Sequence, residues 1–212
     1  MASAYFADGD QGWSAVLEDT TPLVEPLTHL PMAIEHQGPS AAASSPASRA
    51  GLWWFGAPRE FVDLGPEMYG ARLCFTISQH DVPSPPAMPL GDPPKGRKTL
   101  PDVILSSTCG ARLGLFGIIK PGRAPPTEYC VSIHESQGWQ LATQPTYFSA
   151  PRTPSEEGEN QNRGSSRWVY TRQSSKEEFA GVLWHLQDVL LRGRFYAAQH
   201  RSRLSQVCSP DG

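Results

Sequence analysis

Leu52-Trp53-Trp54-Phe55-Gly56-Ala57-Pro58, continued through Phe61 to Tyr69-Gly70-Ala71-Arg72-Leu73-Cys74-Phe75-Thr76-Ile77, is the stretch that decides the fold. Leu52–Phe55 reads as an apolar strand, and Pro58 stops it as an edge strand because proline brings no N–H to a ladder. Arg59–Tyr69 reads as a loop with one hydrophobic anchor, Phe61. Gly70 then supplies either a positive φ or a close strand approach. Leu73, Phe75 and Ile77 alternate with Cys74, Thr76 and Ser78, the two-residue period of a half-buried strand.

The same reading extends outward in both directions. Tyr5-Phe6, the turn from Asp8 to Gly12, and Trp13–Val16 form a strand, an acidic turn and a second strand. Residues 20–50 lose periodicity and fill with Pro, Ala and Ser, as a loop or linker would. Residues 81–101 hold seven prolines and read as an extended excursion. Strand patterns resume at Asp102–Ser106, Arg112–Ile119 and Cys130–His134, with Trp139 following a turn. Residues 149–167 are rich in Pro, Ser, Glu and Asn, within a loop spanning 149–175. One amphipathic helix stands out: Ser175-x-x-Glu178 is a capping box, followed by Phe179, Val182, Leu183 and Leu186 at helical spacing. It is predicted to end near Asp188, where Leu190–Tyr196 changes to alternation. A last strand is expected at Arg203–Cys208. About nine short strands and one helix result, with no internal repeat.

Composition agrees with an all-β class. The 212-residue chain is 39% hydrophobic, and its 21 prolines and 19 glycines suit turns and long loops better than a helical bundle. No apolar run reaches the roughly 20 residues that cross a bilayer, so no membrane span is expected. Residues 1–48 carry six acids and no Lys or Arg, which argues against secretory and transit signals at Met1. The cysteines Cys74, Cys109, Cys130 and Cys208 contain no C-x-x-C pair, so a zinc site is not expected. They allow three disulfide pairings. With no export signal and no N-x-S/T acceptor, free thiols in a reducing compartment are favoured if Met1 is the native start.

Taken in order, these pieces resemble the laminin IV type A (laminin B) domain. Trp13 closes the opening Gly-Trp turn; Trp54-Phe55-Gly56-Ala57-Pro58 looks like the aromatic-aromatic-Ala-Pro signature; Phe61 stands for its turn anchor. Tyr69-Gly70 and Leu73-x-Phe75 match closely, and Trp139 ends a later strand. Phe179 to Tyr196 looks like the terminal helix and strand, with Arg192-Gly193-x-Phe195-Tyr196 its most specific part. Ser205 departs from the pattern, which carries an acid there. The resemblance implies a jelly-roll-like β-sandwich with one short C-terminal helix and long Pro-rich loops, a single domain over 1–212. It also implies a non-enzymatic structural or adhesive module, binding protein partners as a component of a larger assembly. The resemblance points to an extracellular location and the missing export signal to an intracellular one, so the compartment stays open.

Catalytic chemistry has no constellation in the sequence. The six histidines are scattered, no G-x-S-x-G occurs, and the acids cluster in polar loops. No cofactor is called for; the metal that such sandwiches invite is a structural calcium, with Asp8 and Asp10 as candidate ligands. The alternative function is carbohydrate binding, because indole faces stack on pyranose rings. Trp53 is the expected exposed platform, with Trp54 in the core, and Trp168 is the second. Arg192, Arg194, Arg201 and Arg203 form a C-terminal stripe that lacks a nucleic-acid motif and reads as a solvated or protein-contacting edge.

Overall fold

A computed structural model describes residues 3–4, 11–17, 27–30, 33–37, 52–80, 100–120, 126–143, 168–195 and 201–208. Among them, thirteen segments form strands. The first six are β1 (Ser3–Ala4), β2 (Ser14–Val16), β3 (Thr28–Leu30), β4 (Ala33–Gln37), β5 (Trp54–Gly56) and β6 (Arg72–His80). The rest are β7 (Val103–Ser107), β8 (Arg112–Leu115), β9 (Thr127–Ser132), β10 (Gln140–Thr143), β11 (Val169–Gln173), β12 (Leu186–Arg192) and β13 (Arg201–Cys208). They assemble into two sheets in which every pairing is antiparallel. One runs β3-β4-β13-β6-β9 with β1 also on β13; the other runs β11-β10-β8-β7-β12-β5-β2.

The inner faces of both sheets meet in one core. Leu73, Phe75, Ile77, Leu204 and Val207 come from the first sheet, and Phe55, Val103, Leu105, Leu113 and Leu191 from the second. Phe75 and Phe195, 120 positions apart, belong to this same cluster. The all-β sandwich with one short helix is therefore the observed architecture.

The register of the opening stretch departs from expectation by one residue. Trp53 is 1% exposed and packs in the inter-sheet core against Phe55, ring centroids 4.8 Å apart. Trp54 is buried too, but on the opposite face, in a smaller cluster with Val16, Leu52, Leu100, Ile104 and Leu190. Alternation holds; both faces are covered, so periodicity alone could not say which tryptophan faces the core. Trp53 is thus no exposed platform. Gly193 lies against its ring, so closely that any β-carbon there would collide with it.

Pro58 is not at the end of an edge strand. β5 lies between β12 and β2, and Pro58 sits at the N-terminus of a helical turn, α1 (Arg59–Val62). That turn and a 3-10 turn at Gly65–Met68 replace the expected loop, with Phe61 buried as its anchor, edge-on to Trp13 at 5.7 Å. Gly70 has φ +83° with open space around the position of a β-carbon, so backbone conformation rather than close approach requires glycine there.

The capping box forms as read: Ser175 Oγ accepts from the Glu178 N–H, and the Glu178 carboxylate accepts from the Ser175 N–H. It opens α2 (Lys176–Trp184), which buries Phe179, Val182 and Leu183. The helix stops at Trp184 instead of near Asp188, because Leu186 already pairs with Ser107 on β7. Apolar residues at 182, 183, 186, 189 and 190 fit both periods over so short a span, and sheet pairing decides between them.

Two polar segments read as loops contain strands. β3 and β4 lie within 20–50, and β11 within 149–175, as the outermost strand of its sheet. All β11 residues but Tyr170 are exposed, so backbone pairing holds β11 and no alternating pattern marks it. The cysteine reading is also corrected: Cys74 and Cys130, directly opposite on β6 and β9, form a disulfide. Cys208 faces Cys74 from β13, its thiol held above its ordinary pKa by burial, while Cys109 is exposed. Tyr5, Phe6, Asp8, Asp10, Tyr196 and residues 81–99 lie outside the described residues, and with them the calcium expectation.

Candidate functional site

Three places where an arginine meets a carboxylate's field differ in how far each is withdrawn from water. The first comes from the expected C-terminal stripe, of which Arg192 and Arg194 are buried at 3% and 1% exposure, while Arg201 and Arg203 are half-buried. Arg192 Nη1 lies 3.6 Å from Asp102 Oδ1, and its Nε donates to the Arg194 carbonyl at 3.0 Å. Its guanidinium also stacks on Phe195, 4.6 Å from the ring centroid. Asp102 in turn accepts from the backbone N–H groups of Ile118 and Ile119 at 2.8 and 3.1 Å. Burial of Arg194 pushes its guanidinium below the ordinary arginine pKa. This pair is closed, and it fastens β12 to the start of β7.

The second opens on a cleft, where Arg112 and Asp188 influence one another through charge without a direct ion pair. Leu113, Leu105 and Val189 point to the core, so their neighbours Arg112, Ser106 and Asp188 share the outer face of the same sheet. The register aligns the three across β8, β7 and β12 in one row. A bulge puts Gln187 out of pairing between Leu186 and Asp188, and bulges of this kind re-aim neighbouring side chains. Arg112 is only 4% exposed; its Nε donates to Ser106 Oγ at 3.0 Å, and its guanidinium lies 4.4 Å from the centroid of the Trp168 ring. Trp168 leads into β11, whose Tyr170 packs edge-on against Phe116 at 5.2 Å. Ser106, Arg112, Trp168, Gln187 and Asp188, with the turn from Ser107 to Ala111, line a cleft of about 190 Å³.

The electrostatics of that cleft are mixed. Burial pushes the Asp188 carboxyl above its ordinary pKa, and the Arg112 charge only partly offsets this. The turn at its rim is closed by hydrogen bonds: Ser107 Oγ both donates to the Ala111 carbonyl and accepts its N–H, each at 3.0 Å.

A third group is exposed. Arg172 forms a two-pronged ion pair with Glu178, one arm at 2.7 Å, and this pairing foremost holds the Glu178 carboxyl down to about 2. Tyr69 donates to Glu135 at 2.8 Å and approaches His134 Nε2 at 3.3 Å; the bond to Glu135 is the main cause that raises the phenol's pKa.

Of the two tryptophans singled out from sequence, only Trp168 reaches a cleft. Its partners were not legible, because Ser106, Arg112 and Asp188 have no motif spacing and meet only through strand register. Trp13, Trp54, Phe55, Pro58, Phe61, Phe75, Trp139, Phe179, Arg192 and Gly193 are buried, while Tyr69 is half-buried and Gly70 exposed. Trp139 Nε1 donates to the Ser132 carbonyl at 3.1 Å, closing the turn behind it. Among the described residues no three His, Cys, Asp or Glu side chains gather as a metal site. No described helix is long and apolar enough to cross a membrane.

No family model matches this chain, and no curated protein matches it significantly in sequence. Among solved structures, the L4b domain of human laminin alpha-2 superposes with a TM-score of 0.60 at 12% sequence identity, covering 100% of this chain and 98% of that one. The chain has the β-sandwich fold of that laminin L4b domain.

Proposed function

We propose that this protein is a non-enzymatic structural or adhesive module that binds protein partners within a larger assembly. The observation that carries the reading is full-length superposition on a laminin domain. Two features support it. Trp184, at the end of α2, is 69% exposed, and Val169 on β11 is 47% exposed. Exposed tryptophans carry disproportionate binding energy when a partner covers them. The Cys74–Cys130 disulfide favours an oxidising, extracellular setting over the reducing one.

Comparing limited proteolysis of the free chain with that of the chain in its native assembly tests this reading. Segments 20–50 and 81–101 are expected to be cut more slowly in the assembly, and Trp184→Ser to weaken retention there. Equal cutting, with retention unaffected by the substitution, would count against it.

A further inference from the structure

We infer that the outer-face cleft around Trp168, Arg112, Ser106 and Asp188 is a binding site for a neutral saccharide unit, a ligand class separate from the protein partners proposed above. The argument begins with size. A cleft of about 190 Å³ lies below the range of roughly 300–1,000 Å³ typical of drug-sized ligands and suits one ring-sized group. Its lining combines an indole with hydroxyl, amide and carboxylate groups, so one part of the ligand is apolar and the rest is rich in hydrogen-bonding groups. A pyranose has both parts: C–H bonds on the ring faces and hydroxyls around the edge.

Charge narrows the choice further. A cationic ligand would be repelled by the Arg112 guanidinium, which already covers one face of Trp168, so a pyranose is left the ring's edge or other face. An anionic ligand would meet Asp188. With one charge of each sign at the lining, a neutral ligand is repelled by neither.

Hydrogen bonding supplies the last step. The Asp188 carboxylate accepts no hydrogen bond from a described residue, although burial already disfavours its charge. A half-buried carboxylate of this kind gains from hydroxyl donors, and a sugar offers adjacent pairs. Ser106 Oγ is engaged as an acceptor by Arg112 Nε, which leaves its O–H to donate to a ligand oxygen. Arg112 itself is held by Ser106 and Trp168 and is a positioning residue for both.

The test uses the purified full chain and a panel of methyl pyranosides of glucose, galactose, mannose and N-acetylglucosamine, with lactose and cellobiose. Sialyllactose and a heparin oligosaccharide form the anionic arm. Binding is followed by saturation-transfer NMR, by titration calorimetry and by the Trp168 indole N–H resonance. At least one neutral sugar is expected to bind and shift that resonance. Trp168→Ala and Asp188→Asn should each weaken the binding about tenfold or more, whereas Trp184→Ala should leave it unchanged. If Trp168→Ala fails to fold, Asp188→Asn, nearly the same in shape, carries the test alone. No neutral sugar binding at about 10 mM would overturn the proposal. So would binding indifferent to both substitutions, or binding confined to the anionic arm. The partner-binding reading would survive any of these results, because its own readout is proteolytic protection and Trp184.

Discussion

The outer face of the seven-stranded sheet carries two arginine–aspartate combinations, one near each end of β7 and β12, and they have opposite fates. Arg192 and Asp102 sit where Trp54, Leu100, Ile104 and Leu190 exclude water, and neighbouring backbone groups satisfy both charges. Arg112 on β8 and Asp188 on β12 flank Ser106 at the other end of β7, where the sheet face opens beside Trp168 and the carboxylate is left for something else to complete. Composition is the same at both ends; closure differs. A closed pair positions strands, while an open pair remains available to a ligand. Arg172–Glu178, out in solvent, is the third and weakest grade.

Removing one partner of the closed pair is the harshest way to probe this comparison. Arg192→Ala leaves Asp102 charged and buried, a loss of about 3–5 kcal/mol, read in thermal melts as a fall in Tm of about 6–20 °C. The double change Arg192→Met with Asp102→Leu should recover much of that loss, since apolar replacement of a whole buried pair is often tolerated. A single variant as stable as wild type would erase the distinction between the two ends.

At the open end the sign reverses. The folded-state pKa of Asp188 lies above its ordinary 3.8, so ionisation costs stability. Stability from this group is full below the unfolded pKa and is lost as pH rises through the folded one. Asp188→Asn should therefore raise Tm at neutral pH, by no more than about 3 °C, with the advantage vanishing in melts below about pH 4. A lower Tm at neutral pH would show that the carboxylate is structural after all.

The exposed pair gives the smallest effect. Glu178 has its pKa lowered, so its contribution is present above the ordinary 4.5 and is lost as pH falls through about 2. Glu178→Gln keeps the capping box and removes only the ion pair, a change in Tm of no more than about 2 °C. The difference should disappear in high salt, because exposed pairs are screened.

How much of this was legible varies by residue. Leu73, Phe75 and Ile77 announced a strand because they alternate with the small or polar Cys74, Thr76 and Ser78, although Cys74 and Ser78 are buried as well, so the strand is covered on both faces and not half-buried. Ser175 and Glu178 announced a helix start because a capping box is local chemistry. β11 escaped notice because an edge strand with exposed side chains has no period to read. Trp53 was placed on the wrong face because both sides of β5 are buried, which removes the contrast that period-two reasoning needs. Cys74 and Cys130, 56 residues apart, carry no spacing signal and pair only because β6 lies beside β9.

The sequence by itself determined the strand periods, the helix start, the need for glycine at Gly70 and the all-β class, since each depends on residues within a few positions of one another, while the structure decided that Gly70 serves a positive φ. Strand neighbours, the inward tryptophan, the disulfide and the row from Arg112 through Ser106 to Asp188 were decided by tertiary structure. Register between strands distant in the chain is set by which faces find apolar cover, and no short stretch contains that information.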